Sequence, residues 1–140
     1  MQCALGISQL KKNDGFVERR RHIADRYSLN FQDATLIDTP TEQAGIRHSY
    51  HLYPLLIDFE KLGKTRNQVM RELRELNIGT QVLYIPLHFQ PYYAEKYGYK
   101  FGDFQNAEEY YDRCLSIPIF PGMSEKEIDL VIDSVCSIVA

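Results

Sequence analysis

The stretch Gly79-Thr-Gln-Val-Leu-Tyr-Ile-Pro-Leu-His-Phe-Gln-Pro-Tyr-Tyr93 joins a predicted strand to a turn that is rich in polar and aromatic side chains. Its first half is apolar enough for a short strand, and Pro86 ends that strand because proline cannot donate a ladder hydrogen bond. Tyr84 lies near the strand's end, and His88 and Tyr92 follow it directly. Polar and aromatic groups that gather at a strand end are typical of a binding site. The stretch therefore indicates a candidate site at the start of a long connection.

Helix and strand signals alternate on both sides of this stretch. Upstream, Thr65 and Gln68 form a capping box, and the helix that follows is predicted to end with Gly79 in a left-handed cap. Downstream, helices are predicted to begin at Asn106 and at Ser124. The predicted strands are a short one at residues 36–37, one at 48–58 in which Pro54 indicates a sheet edge or a local gap, one at 80–85 and one at 116–120. A small sheet with helices on one side predicts an α/β (α+β) fold, a two-layer sandwich.

The first thirty residues are predicted to form a helix, because apolar residues recur at helical spacing from Cys3 onward. Asn13-Asp14-Gly15 is a turn signal and predicts a kink there. The apolar pattern begins without a capping residue before it, so we expect a chain that starts inside a longer element. We expect a connecting helix over residues 1–30 and a small domain over residues 31–140.

Composition excludes several classes of protein. The chain has 140 residues, 44% of them hydrophobic, and a formal charge of −3. That balance argues against a nucleic-acid partner. The sequence has neither a long apolar run for a membrane helix nor a signal-peptide pattern, so we expect a cytoplasmic protein without a membrane partner. Cys3, Cys114 and Cys136 are odd in number and widely spaced, which excludes a disulfide framework and predicts small apolar residues on helices.

Histidines are the main candidates for chemistry. His88 can donate a hydrogen bond or move a proton near neutral pH, and the alternative is a loop histidine satisfied by backbone groups. His48 and His51 have an HxxH spacing, but residues three apart on a strand face opposite sides, so a metal pair is disfavoured. No dinucleotide, P-loop or nucleophile-elbow motif occurs in the sequence.

Motifs along nearly the whole chain, in the right order, resemble the C-terminal third of the DegT/StrS-type sugar aminotransferases. They are Gln2-Cys-Ala-Leu-Gly-Ile-Ser-Gln-Leu10, His51-Leu-Tyr53, Asn77-Ile-Gly-Thr80, Tyr84-Ile-Pro-Leu-His-Phe-Gln-Pro-Tyr-Tyr93, Gly102-Asp-Phe-Gln-Asn-Ala-Glu-Glu-Tyr-Tyr111 and Leu115-Ser-Ile-Pro-Ile-Phe-Pro-Gly-Met123. The resemblance implies the small C-terminal domain of the aspartate-aminotransferase-like architecture, fold type I. Within the family, the chain looks closest to transaminases that aminate UDP-4-keto-6-deoxy-N-acetylhexosamines, the pseudaminic-acid type.

The resemblance also implies a chemistry. The family's members use pyridoxal phosphate as cofactor, and the intact enzyme is expected to be a homodimer that moves an amino group from glutamate to a 4-keto nucleotide sugar. By resemblance, Tyr84, His88 and Tyr92 contact the nucleotide sugar, while Leu83 departs from the pattern because many relatives carry a histidine there. The family's Schiff-base lysine lies upstream of the matched segment. None of the seven lysines here stands in that context: Lys11, Lys12, Lys61, Lys64, Lys96, Lys100 and Lys126.

We therefore expect that this chain alone binds no pyridoxal phosphate covalently, contains no catalytic, cofactor-binding or metal-binding residue, and is inactive by itself. The alternative is a stand-alone interaction or dimerisation module without catalysis. Such a module would use the tyrosine-rich surface between Tyr92 and Tyr111, because tyrosine has an apolar body and a polar tip.

Overall fold

A three-stranded antiparallel sheet lies at the centre of the structure, a computed structural model that describes residues 2–139. In spatial order, the strands are β1 (Ile37–Asp38), β2 (Tyr53–Ile57) and β3 (Cys114–Ile117). Tyr53, Leu55 and Ile57 are buried, and the two residues between them are half-buried, as the two-residue period of a strand requires. The two-layer sandwich predicted from the sequence is confirmed.

Pro54 occupies a gap in this sheet. It lies opposite Ser116 of β3, in the strand that is central in the sheet. β1 pairs only with Leu56 and Ile57, so it ends before it reaches Pro54. The missing proline N–H therefore interrupts no hydrogen bond between β1 and β2. The prediction of an edge strand is wrong, and the prediction of a local gap is confirmed.

Helices account for most of the remaining regular structure. They are α1 (Gln2–Leu10), α2 (Asn13–Phe31), α3 (Phe59–Leu62), α4 (Arg66–Glu75), α5 (Pro91–Tyr97), α6 (Gln105–Arg113) and α7 (Glu125–Val139), with a 3-10 turn at Leu87–Phe89. Both capping boxes are present. Thr65 and Gln68 exchange backbone and side-chain hydrogen bonds at the start of α4. Ser124 and Glu127 do the same before α7. The two boxes satisfy amide donors that a helix start otherwise leaves unpaired.

The strand predicted at 48–58 is confined to Tyr53–Ile57, and the one predicted at 116–120 lies at Cys114–Ile117. Three further local predictions are wrong. Residues 80–85 do not form a strand, because only Gln81 pairs, in a single bridge to Ser116, and a strand needs a continuous partner. Asn77, with φ of +61°, takes the left-handed position after α4 instead of Gly79. No side-chain cap from Asn106 starts α6, which begins one residue earlier, at Gln105.

The N-terminal helix is divided into two. α1 ends at Leu10 and α2 begins at Asn13, so the break lies at residues 11–12 and Asn13-Asp14-Gly15 forms the first turn of α2. The two parts differ in their packing. α1 buries none of its residues, whereas Ile23, Tyr27 and Phe31 of α2 are completely enclosed. Only the second part of the connecting helix therefore belongs to the domain.

The sandwich core, defined as the buried apolar cluster, combines residues of α2, α4, α7 and all three strands. Polar contacts hold α2 against the rest of the domain. Arg19 and Arg26 both pair with Glu125 of α7, and Tyr27 donates a hydrogen bond of 2.8 Å to the carbonyl of Pro118. The buried phenol is desolvated, which raises the pKa of Tyr27 well above its usual range.

Candidate functional site

The aromatic segment, residues 84–104, lies outside the sandwich core. It contributes no residue to the core cluster, and His88 is its only buried residue. Its rings stack on one another instead. Tyr93 stacks on Tyr97, and Tyr97 stacks on Tyr99, with ring centroids 6.2 and 5.6 Å apart. Tyr99 meets Phe104 edge to face at 5.3 Å. The tyrosine-rich stretch therefore forms a surface.

His88 is the centre of this surface. Its side chain lies in the 3-10 turn with only 7% of the residue exposed, between the rings of Phe89 and Phe104 at 4.2 and 4.8 Å. Its Nε2 atom lies 2.8 Å from Oε1 of Glu108, on α6. The imidazole is therefore held by a carboxylate and by two aromatic rings, and not by the backbone groups that the alternative reading of the sequence invoked.

Glu108 is a buried carboxylate with several donors. The residue is 4% exposed, and the backbone N–H of Gly102 donates to both of its oxygens, at 3.0 and 2.9 Å. The N–H of Phe104 adds a longer bond of 3.3 Å. Burial alone raises the pKa of the Glu108 carboxyl, but the hydrogen bonds from Gly102, His88 and Phe104 outweigh burial and lower that pKa below its ordinary value. Glu108 is therefore ionised at neutral pH.

Glu108 was not among the site residues predicted from the sequence. One signal was available, because Glu108 lies in the first turn of α6, where a carboxylate is stabilised by the helix dipole and by free N–H groups. Gly102 supplies the other half of the arrangement. Its φ of +96° turns the chain back toward the helix, and such a φ strains any residue that carries a Cβ atom.

Tyr84 and Tyr92, the other two predicted site residues, lie open to solvent. Tyr84 is 81% exposed and shares no aromatic contact with another ring in residues 2–139. Tyr92 is 60% exposed, packs edge to face on Tyr93 at 5.2 Å, and accepts a hydrogen bond from the Lys96 ammonium at 2.9 Å. The structure therefore brings Tyr92 into the ring surface, while Tyr84 stands apart at its start.

A small pocket opens beside His88. It measures about 310 Å³ and is lined by Leu87, His88, Tyr93, Tyr99, Phe104 and Ala107. Its accessible lining is almost entirely apolar. A volume near 300 Å³ is at the lower end of ligand pockets, which fits one ring-sized group.

The HxxH pair does not form a shared site. Nδ1 of His48 accepts a hydrogen bond of 3.0 Å from the Tyr50 amide, and the two rings pack edge to face at 4.5 Å. His51 is exposed. Within residues 2–139, no three His, Cys, Asp or Glu side chains come together as metal ligands would. Cys114 lies buried in β3, not on a helix as predicted.

The fold is that of solved sugar aminotransferases, enzymes of fold type I. Helicobacter pylori PseC, an aminotransferase involved in the biosynthesis of pseudoaminic acid, aligns with 99% of this chain at a TM-score of 0.89 and 25% identity. DesV of S. venezuelae aligns with 98% at the same TM-score and identity. The chain covers 36% and 35% of those two proteins.

The chain belongs to the DegT/DnrJ/EryC1/StrS aminotransferase family, whose model matches residues 1–136. It is 46% identical over 140 residues to the spore coat polysaccharide biosynthesis protein SpsC of Bacillus subtilis. It is 35% identical over 136 residues to the UDP-4-amino-4,6-dideoxy-N-acetyl-beta-L-altrosamine transaminase of Campylobacter jejuni. The match covers nearly all of this chain and about a third of each relative, 36% and 35%. The resemblance stated from the sequence motifs is confirmed.

None of the helices within residues 2–139 is long and apolar enough to cross a membrane.

Proposed function

We propose that this chain forms the C-terminal part of a pyridoxal-phosphate-dependent aminotransferase that aminates a 4-keto nucleotide sugar, with glutamate as amino donor. The observation that carries the proposal is the family match over residues 1–136. The names of the relatives support the substrate class, because one is a transaminase of a UDP-linked amino sugar and another acts in polysaccharide biosynthesis. The Helicobacter pylori protein PseC, an aminotransferase involved in the biosynthesis of pseudoaminic acid, favours the pseudaminic-acid type of sugar.

The surroundings of the lysines support a Schiff base between the cofactor and a lysine outside this chain. A lysine that forms a Schiff base must be desolvated so that its amine is neutral and nucleophilic. Lys64 is only half-buried, and its ammonium is bound to Glu72 and to the carbonyl of Ile138. The other six lysines are exposed. The lysines present here do not fit a covalent cofactor site, and we propose that the chain alone is inactive.

When bound in such an enzyme, pyridoxal phosphate supplies the carbonyl that carries the amino group and the electron sink for its transfer. This chain's part is to bind and orient the sugar substrate. We propose that Tyr84, His88 and Tyr92 do so. Both tyrosines are exposed, and the ring between them along the chain is held in one place by Glu108. A rigid imidazole and exposed phenol groups can recognise sugar hydroxyls.

The test is the kinetics of His88→Ala in the full-length aminotransferase that the proposal assigns to this chain. We expect kcat/KM for the nucleotide sugar to fall about five- to a hundred-fold, the value of one or more lost hydrogen bonds of about 1–3 kcal/mol. The cofactor's absorption should stay unchanged. His51→Ala, an exposed histidine outside the aromatic segment, is the matched control. Lower thermal stability with unchanged kcat/KM would show that His88 is only structural.

A second candidate, a dimerisation module, is favoured by α1. This helix buries none of its residues, and Leu5, Ile7 and Leu10 are all exposed. Exposed apolar side chains in a row are typical of an interface. As a stand-alone module, the chain would pair with a second copy of itself through this helix. Sedimentation of the chain tests this: self-association that Leu5→Lys abolishes supports it, and a monomer at all concentrations contradicts it.

A further inference from the structure

The His88–Glu108 pair contains the only buried histidine and the only buried carboxylate in the part of the chain that the structure describes. An ionised carboxylate can only accept hydrogen bonds. Because the Glu108 oxygen lies 2.8 Å from Nε2 of His88, that nitrogen must carry the hydrogen. Glu108 itself is anchored from the opposite direction by the N–H groups of Gly102 and Phe104. The contact therefore selects one tautomer and one orientation of the ring.

In the neutral ring, the other nitrogen, Nδ1, is left as an acceptor. Within residues 2–139, the contact with Glu108 is the only hydrogen bond of the imidazole. Arg113 Nε is the only side-chain nitrogen or oxygen there that is fully enclosed without a partner. Nδ1 of His88 is therefore not fully enclosed. A neutral imidazole held through Nε2–H presents a bare lone pair at this atom.

The pocket of about 310 Å³ beside His88 indicates what could bind there. Its aromatic walls, Tyr93, Tyr99 and Phe104, offer ring faces, and its accessible lining is almost entirely carbon. A sugar ring has the matching chemistry, since its C–H faces pack on aromatic rings and its hydroxyl groups donate hydrogen bonds. His88 is among the residues that line the pocket, and Nδ1 is the ring nitrogen that has no partner within residues 2–139.

We infer that Glu108 is a positioning residue, which holds His88 so that its Nδ1 accepts a hydrogen bond from a hydroxyl of the sugar unit in the pocket lined by Tyr93, Tyr99 and Phe104. The part that concerns the sugar rests on the proposed function. The part that concerns the ring's tautomer does not, because it follows from the contact between His88 and Glu108. Two experiments separate these parts.

The first experiment measures the tautomer in the 140-residue chain, by ¹⁵N NMR of histidine-labelled protein at a pH where the ring is neutral. His88→Gln identifies the signal of His88. We expect the Nε2–H form in the wild type and a mixture of both forms in Glu108→Gln, whose side chain is neutral. Glu109→Gln, one residue along the same helix and exposed, is the matched control and should leave the wild-type form. An Nδ1–H form in the wild type would overturn the inference.

The second experiment measures transaminase kinetics with UDP-linked 4-keto-6-deoxy-N-acetylhexosamine in the full-length enzyme. His88→Gln places an amide nitrogen near the position of Nε2, so it can still contact Glu108, but it has no acceptor in place of Nδ1. We expect KM for the sugar to rise about five- to a hundred-fold, with the melting temperature and the cofactor's absorption close to those of the wild type. Glu108→Gln should raise KM in the same direction, and Glu108→Asp should restore part of it.

Each outcome has a distinct meaning. Wild-type KM in both His88→Gln and Glu108→Gln would overturn the acceptor role and leave the pair a structural one. A wild-type enzyme that aminates no nucleotide sugar would contradict the proposed function and the sugar ligand with it. In that case the tautomer measurement still decides whether Glu108 positions the ring.

Discussion

Aromatic side chains have opposite surroundings in the sandwich core and in the aromatic segment. Tyr27, Phe31 and Tyr53 are completely enclosed in the core, whereas Tyr97 and Phe101 of the aromatic segment lie open to solvent. The two regions do not differ in the kind of ring they carry. They differ in whether a regular element presents the ring to a second layer. In the core, a long helix and paired strands do so, while the aromatic segment consists of short turns and one short helix.

The two regions are stabilised by different means. The core depends on apolar burial, which is proportional to the area removed from water. In the aromatic segment, residues are held by stacked rings and by one buried polar pair, His88 and Glu108. A polar pair of this kind depends on geometry and on charge. Substitutions that shorten a side chain should therefore destabilise the core. Substitutions that remove a charge or restrict the backbone should destabilise the aromatic segment.

The largest difference in the free energy of unfolding is expected between two phenylalanine variants. Phe31→Ala removes an enclosed ring from the core and should lower the free energy of unfolding by about 3–5 kcal/mol. Phe101→Ala removes an exposed ring that stacks on Phe89 in the aromatic segment, and should change it by less than about 1 kcal/mol. Urea unfolding followed by circular dichroism measures both. Equal losses in the two variants would contradict the division into two regions.

A smaller effect is expected from two glycines. Gly102 has a φ of +96°, so Gly102→Ala should strain the folded backbone. The free energy needed to open the aromatic segment should fall by on the order of 1–3 kcal/mol. Gly15, inside α2, has space for a Cβ atom, so Gly15→Ala should stabilise the helix by about 0.5–1 kcal/mol. Hydrogen exchange resolves where each change acts. Loss of protection in the core of the Gly102→Ala variant would show that the two regions unfold together.

A third prediction compares a helix cap that is used with one that is not. Thr65→Ala removes the capping box of α4 and should cost about 1 kcal/mol. Asn106→Ala should cost almost nothing, because the Asn106 side chain does not cap α6. Thermal unfolding of the two variants tests this. A loss for Asn106→Ala as large as that for Thr65→Ala would mean that the residue caps the helix in solution.

The smallest effect on global stability is expected at low pH, where the packing of the aromatic segment should change. In the folded chain the pKa of Glu108 is lowered from its ordinary 4.5. The stabilisation that the ionised carboxylate contributes is therefore complete above that ordinary value and is lost as the pH falls through the folded pKa. Near-ultraviolet circular dichroism of the tyrosines should change in this acid range before the far-ultraviolet signal does. Glu108→Gln should remove that early change and Glu109→Gln should keep it. An early change that persists in Glu108→Gln would assign it to another group.

Part of the candidate site could be read from the sequence. Pro86 and Pro91 lie on either side of His88 and restrict the backbone there, and the structure places the ring in a turn between them. What holds the ring could not be read in this way, since Glu108 lies twenty residues further along the chain. A carboxylate on a helix is usually solvated, and only the return of the chain at Gly102 encloses this one.

By itself, the sequence determined the family, the two-layer fold, and the starts of α4 and α7, because these depend on motifs in order, on periodicity and on residues three apart. Tertiary structure alone decided that residues 80–85 do not pair as a strand, that α1 stays uncovered while α2 is enclosed, and that His88 is bound to Glu108. Pairing, burial and a buried carboxylate's contacts each need a partner distant in the sequence. Local propensity carries no information about that partner, so these features follow only from the folded chain.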